Sequence, residues 1–283
     1  MKHRIDLHLH TTCSDGLTPP DQLLELVRRA GLAAFSVTDH DTLAGYQRVR
    51  SLLQEGDPVL IPGLELSCSS ERGDLHILAY LFDPDTEPLR QALDGFQENR
   101  MRRGRVMVEK LNELGVEITY DEVLEVAGDA AVGRPHVAEA MFRRQAVPTY
   151  DDAFRRYIGD RGPAYVPKKN FAPPEAIALI HQAGGMAVLA HPMIDRAADR
   201  IEELAALGLD GLETHHPDHS AGDKDRLKEI AKQHRMLWTG GSDFHGRPGR
   251  CGTVGSEAVP IECLEELKRR AAQMWALQNR GSV

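Results

Sequence analysis

Arg4-Ile5-Asp6-Leu7-His8-Leu9-His10-Thr11 is a short alternating run near the start of the chain. On a strand, successive side chains point to opposite faces, so Leu7 and Leu9 face one way and His8 and His10 the other. Two imidazoles about 7 Å apart on one face can share a metal ion, because Zn, Mn and Fe sites accept His nitrogen at roughly 2.0–2.2 Å. A His-x-His pair alone fits equally well two histidines on a half-buried strand. The rest of the chain decides between these readings.

Working outward, strands and helices alternate. Strands are expected over 5–10, 33–38, 59–66 and 75–82, with helices over 19–30 and 44–54. The pattern resumes later, with strands over 186–190, 209–214 and 236–239. Helices there are expected over 174–182, 201–207, 224–234 and 264–278. This alternation indicates a parallel sheet, and its number of units suggests a barrel. Residues 95–169 break the rhythm, being helical in pattern and polar. They hold 13 Lys and Arg against 12 Asp and Glu, whereas the remainder holds 21 against 31. The expected organisation is a barrel from 1–94 and 170–283, with 95–169 as an inserted helical lid that selects substrate. A plain solvated helical decoration is the alternative.

Size and composition agree with one such domain, since 283 residues is close to a barrel plus an insertion. Aromatics make up 5%, which argues against a base-stacking platform for oligonucleotides. The net charge of −9 repels nucleic acid, so stable duplex binding is not expected. An anionic substrate must be drawn by local positive charge, which bound divalent cations would supply. Cys13, Cys68, Cys251 and Cys263 form no Cys-x-x-Cys motif, and reduced thiols in a cytoplasmic protein are expected. No signal peptide or membrane-spanning apolar run is visible.

In α/β barrels, ligands gather at the C-terminal ends of the strands. The polar residues at those ends are His8, His10, His40, Glu65, His191, Asp243 and His245, with Asp15 in the loop after the first strand. His76 starts a strand instead. The link from Glu65 to His76 is too short for a parallel crossover, so these two strands should form an antiparallel hairpin. That places His76 beside Glu65 and predicts a distorted barrel. Six histidines and three carboxylates suffice for two or three divalent ions. Nitrogen and oxygen donors without thiolate suit Mn, Fe or Zn better than Ca or Mg, with Glu65 the natural bridge.

The series His8-x-His10, Asp15-Gly16, Asp39-His40-Asp41, Glu65, His76, His191-Pro192 and Ser242-Asp243-x-His245 resembles the polymerase and histidinol phosphatase (PHP) domain family over residues 6–245. The resemblance implies a distorted seven-stranded barrel and a trinuclear centre for phosphoester hydrolysis, with Mn the first choice of metal. Carried over, His8, His10, Glu65 and Asp243 would hold one ion. Glu65, His76 and His191 would hold a second, and Asp15, His40 and His245 a third.

A hydroxide shared by two ions is the expected nucleophile at phosphorus. His215, His216 and Asp41 are candidate proton donors, each with a structural alternative. Gly133-Arg134-Pro135-His136 reads as a helix start, where Arg134 could grip a second phosphate. Lys168, Lys169, Arg247, Arg250 and His216 are further substrate-contact candidates. His181 and His234 read as helix-terminal residues, and His3 and His219 as surface ones.

The Gly-Arg-Pro-His element and Glu213-x-x-His216-Pro217-Asp218-His219 look like a stand-alone bacterial branch of the family. That branch is similar to 3′,5′-nucleoside bisphosphate phosphatases and short-RNA 5′→3′ exonucleases. The implied substrate is a doubly phosphorylated nucleotide or short oligoribonucleotide. A histidinol-phosphate phosphatase is the alternative. It would want an acidic lid rather than Arg134 and the Arg102-Arg103-x-Arg105 cluster. A non-catalytic binding module should have lost ligands, and this chain has lost none.

Overall fold

The computed structural model describes residues 4–128, 132–167, 171–247, 252–257 and 259–280. The chain forms two compact units, Met1–Gln91 with Phe171–Val283, and Ala92–Asn170.

The first unit is a mixed α/β fold with nine strands among the described residues: β1 Arg4–Asp6, β2 Ala34–Ser36, β3 Val59–Ile61, β4 Gly63–Ser70, β5 Gly73–Tyr80, β6 Met186–Leu189, β7 Gly211–His215, β8 Leu237–Gly240 and β9 Val259–Pro260. They pair as two sheets, in the orders β3-β2-β1-β9 and β4-β5-β6-β7-β8. The strand pairing therefore does not run round a closed ring. Single bridges, Leu9 to Phe244 and His40 to Glu65, link the two sheets beyond their regular strands.

The split has a local cause. A single strand is expected over 59–66, but Pro62 has no N–H and ends the ladder between β3 and β4. Val59–Ile61 pairs with β2, while Gly63 onward pairs with β5. The hairpin is antiparallel, as its short connection requires, with Glu65 opposite Leu78 and His76 opposite Ser67. The short β9, which sequence patterning did not suggest, pairs antiparallel with β1 through Ile5 and Val259.

Two apolar cores back the sheets. One joins Ile5 and Leu7 to Leu78, Tyr80, Val188 and Leu237. The other packs Leu9, Phe35 and Val37 against Leu23, Leu24 and Val27. The latter three lie on the helix Pro20–Ala30, which starts on Pro20 and closes on Gly31 at φ +66°. The first strand ends at Asp6 and not at His10 as expected, but the alternation continues past it: Leu7 and Leu9 are fully buried in these cores, and His8 and His10 turn the opposite way.

The second unit is helical. Met107 and Leu111 on the helix Glu87–Glu113 pack with Val123, Val137 and Met141 from the helices Tyr120–Ala127 and Arg134–Arg143. Thr119 and Glu122 cap the second of these helices reciprocally.

Candidate metal centre

The strand ends and the loops after them converge on Glu65, which is fully buried near the start of β4 and not at a strand end as expected. Its Oε2 lies 3.3 Å from His8 Nε2, 3.2 Å from His10 Nε2 and 3.3 Å from His40 Nδ1. Its Oε1 lies 3.1 Å from His191 Nε2 and 3.9 Å from His76 Nδ1. Asp243 Oδ1 adds contacts of 3.3 Å to His8 Nε2 and 3.2 Å to His10 Nε2. The contacts of His8 and His10 with Glu65 and Asp243 each have the length of one edge between donors that share a tetrahedral ion. For ligand distances near 2.1 Å such an edge is about 3.4 Å long.

Four donor groups have their ligand atoms within 4.8 Å of one another: His10, Asp15, His40 and His245; His8, His10 and Asp243; His8, Glu65 and His191; and His76, His191 and Asp195. The structure thus brings together His8, His10, Asp15, His40, Glu65, His76, His191, Asp243 and His245. It adds Asp195, which sequence reasoning missed. The Asp195 carboxylate sits 3.1 Å from His76 Nδ1 and 3.3 Å from His191 Nδ1. Its one sequence signal is its place four residues after His191 in the same loop.

Several imidazole nitrogens are buried without a partner of hydrogen-bond geometry, including both of His10, Nδ1 of His40 and Nδ1 of His191. Buried polar atoms are rarely left so. Carboxylate oxygens lie within 3.2–3.3 Å of several of these nitrogens without meeting hydrogen-bond geometry. Neutral imidazole lone pairs and ionised carboxylates converging on shared points are what a divalent cation requires. The donor set therefore fits such ions.

The carboxylates are held ionised as such a site needs. Burial opposes charge on both Glu65 and Asp243, yet His40 and His8 beside Glu65, and His8 and His10 beside Asp243, hold both well below the usual carboxylate range. Burial likewise opposes a proton on His8, but the carboxylates of Glu213, Asp243 and Glu65 outweigh it and raise its pKa well above normal. His40 is the exception, since burial pushes it down to about 3.

Surrounding side chains fix the donors. Glu213 on β7 is fully buried and accepts from His8 Nδ1 at 2.9 Å and from the His191 backbone N–H at 2.8 Å. Asp39 accepts from the Thr11 N–H, the Thr11 hydroxyl and the Ser14 hydroxyl, shaping the loop that carries Asp15. Asp41 Oδ1 accepts from the Ser67 N–H at 2.8 Å, so this residue braces the hairpin. His191 and Asp243 take positive φ values of 22° and 47°, which are strained for residues with a Cβ.

Gly241 precedes this strained turn, and here only glycine fits. A Cβ at that position would lie 2.4 Å from the His8 backbone nitrogen and 2.8 Å from Asp6 Oδ1. Gly241→Ala should therefore push His8 outward and cost about 1–3 kcal/mol. Thermal unfolding and bound-metal analysis check this. A variant with wild-type melting and metal content would show that the segment can give way.

Other expectations are corrected. His215 turns away from the cluster. The register of β7 slips at Thr214, so His215 lands on the face of Leu212 and Trp238 and not that of Glu213. Its ring stacks on Trp238 at 5.4 Å, and burial, with Lys228 close by, lowers its pKa to about 4. His216 lies at the cluster, with Nε2 3.3 Å from Asp243 Oδ2 and Nδ1 accepting from the Asp218 N–H at 3.1 Å. His219, read from sequence as a surface residue, is buried and donates from Nδ1 to the Thr214 carbonyl at 3.0 Å.

Arg134 opens the helix Arg134–Arg143 as expected, but it is engaged within the helical unit, pairing with Asp160 and lying over the Tyr165 ring. The arginines 102, 103 and 105 are no common basic face: they reach Asn99, the Val166 carbonyl and the Tyr120 ring respectively. Lys168, Lys169 and Arg250 lie outside the described residues.

Comparison with known proteins agrees with this geometry. The chain is 32% identical over 85% of its length to the 5'-3' exoribonuclease Rnm of Salmonella typhimurium, 84% of which is covered. It is 32% identical over 88% of its length to the phosphoribosyl 1,2-cyclic phosphate 1,2-diphosphodiesterase of Eggerthella lenta, 97% of which is covered. It is 31% identical over 92% of its length to the 3',5'-nucleoside bisphosphate phosphatase of Chromobacterium violaceum, 93% of which is covered. A solved structure from Bifidobacterium adolescentis, provisionally classed as a metal-dependent phosphoesterase, superposes with a TM-score of 0.84 at 33% identity. That match covers 94% of this chain and 96% of the other. The PHP domain model matches residues 6–154, more than half of the chain. With its strand-end histidines and carboxylates gathered round Glu65, the chain belongs to the PHP domain family.

Proposed function

We propose that this protein is a metal-dependent phosphoesterase that removes one phosphate from a doubly phosphorylated nucleotide. A 3′,5′-nucleoside bisphosphate would yield a nucleoside 5′-monophosphate and phosphate, and short RNA would be shortened 5′→3′. The observation that carries the reading is Glu65, whose two oxygens each face a separate set of imidazoles. Two or three divalent ions are assigned to the four donor groups, with manganese preferred and iron or zinc as alternatives. Bound there, they supply Lewis acidity and offset negative charge at the phosphoryl group.

The residues do the rest by placement. His8, His10 and Asp243 face one side of Glu65, and His76, His191 and Asp195 the other. Asp15, His40 and His245 form the third group. His216 has both ring nitrogens engaged, so it steadies Asp243 in place of serving as a mobile acid. The two sheets are read as parts of a distorted seven-stranded barrel, joined through the Leu9 and His40 bridges.

Residues 95–169 are the substrate-selecting insertion in this reading, with Arg134 exchanging its Asp160 partner for the second phosphate. No disulfide joins the described cysteines Cys13, Cys68 and Cys263. No helix among the described residues is long and apolar enough to cross a membrane.

The similarity to the Eggerthella lenta diphosphodiesterase favours a second reading, a phosphoribosyl cyclic phosphate as substrate. Phosphate release should be compared across nucleoside monophosphates, 3′,5′-bisphosphates, short RNA, a ribose cyclic phosphate and histidinol phosphate. Turnover of the bisphosphates is expected, and its absence with Mn²⁺ present would overturn the first reading. Arg134→Ala should raise KM about 10-fold or more for doubly phosphorylated substrates, through loss of a charge-assisted contact. Its KM for monophosphates should hold. An equal change for both classes would remove Arg134 from the recognition of a second phosphate.

A further inference from the structure

Glu213 is a buried carboxylate that no donor group needs. It lies inside a strand, fully buried, where an unpaired charge costs several kcal/mol. Its two oxygens are spent on different partners. Oε1 meets His8 Nδ1 at 2.9 Å, and Oε2 accepts from the His191 backbone N–H at 2.8 Å. His8 presents its other nitrogen, Nε2, to Glu65 and Asp243. His191 presents Nε2 to the opposite oxygen of Glu65, from a backbone held at φ 22° just before Pro192. A residue before proline normally stays extended, so something must hold His191 in place.

We infer that Glu213 is a positioning residue that sets the donor atoms of two neighbouring ion positions at once. It rests on the metal-dependent reading above. By accepting the Nδ1 proton of His8, Glu213 leaves the Nε2 lone pair for an ion and makes it more basic, the usual role of a carboxylate behind a ligating histidine. Through its second oxygen it pins the backbone that aims His191. One side chain therefore ties the occupancy of both positions together.

Glu213→Gln separates these functions at constant volume. Glutamine has one acceptor oxygen and one amide donor, so it cannot accept from both His8 and His191. If the oxygen keeps His191, the amide faces His8 Nδ1 and favours the tautomer with its proton on Nε2. The two tightest zinc steps, measured by competition with chelators, should weaken together by about 10- to 100-fold.

A spectroscopic reading does not depend on turnover. In the zinc-loaded wild type, ¹H–¹⁵N spectra should show a protected, downfield Nδ1–H of His8, assigned by its loss in His8→Asn. In Glu213→Gln this signal should vanish while far-UV circular dichroism stays native. Glu213→Gln with wild-type zinc constants would overturn the inference, as would weakening of one step alone. A wild-type His8 lacking the Nδ1–H would also overturn it, and this reading stands even if the variant fails to fold. A wild type that binds zinc and shows the signal but hydrolyses no phosphoester would sink the phosphoesterase reading and leave this inference intact.

Discussion

Glu65→Gln should lower phosphate release on the order of 10³-fold, about 4 kcal/mol of transition-state stabilisation. The substitution keeps volume but turns one carboxylate oxygen into an amide that cannot hold a cation. Either choice of oxygen breaks a set. Oε2 serves His8, His10 and His40, and Oε1 serves His191 and His76. Elemental analysis should find at least one ion fewer per chain after gel filtration. Without metals the variant should also be less stable than wild type, because the buried imidazoles lose the carboxylate that offsets their charge. Breaking a buried pair of this kind costs about 3–5 kcal/mol. Full metal content with activity within tenfold of wild type would show that Glu65 is not the shared donor.

Exhaustive chelation should abolish activity and lower the melting temperature by about 10 °C, with recovery on adding Mn²⁺. Each ion at 100 times its dissociation constant contributes about 2.7 kcal/mol, and each kcal/mol moves a chain of this size by roughly 2–4 °C. The loss stays short of unfolding because the cluster partly pairs with itself. His8 takes up a proton against Glu213, Asp243 and Glu65, while Glu65 stays ionised beside His40 and His8. Cations must displace such protons, so chelation should become easier as pH falls. An unchanged melting temperature after elemental analysis shows complete removal would mean that these groups pair only with one another.

The clustered residues were legible because each obeys a simple rule of placement. His8 and His10 alternate with apolar Leu7 and Leu9, and His40, His191 and Asp243 end predicted strands. His76 followed from the length of a loop. Other features depend on events too local for periodicity to register. Pro62 divides one apolar run between two sheets, and β9 is only two residues long. The irregularity at Thr214 reverses the face of His215, which alternation would place with Glu213. Asp195 and Glu213 carried weaker signals. Asp195 lies in a loop, and Glu213 is a single acid in the strand Gly-Leu-Glu-Thr-His, where a carboxylate between buried neighbours implies a partner. Patterning can raise that question, but only the fold supplies His8 as the answer.

The pairing of β1 with β9 has a consequence for biogenesis. The first strand sits between β2 and a strand ending at Pro260, and the donors extend from His8 to His245. During synthesis His8 and His10 emerge long before Asp243 and His245, from the opposite side of the inserted helical unit in sequence. Such long-range closure is slow, and the two groups that contain Asp243 or His245 form only once the segment after β8 has joined the fold. Those two groups are therefore expected to take up metal later than the group of His76, His191 and Asp195.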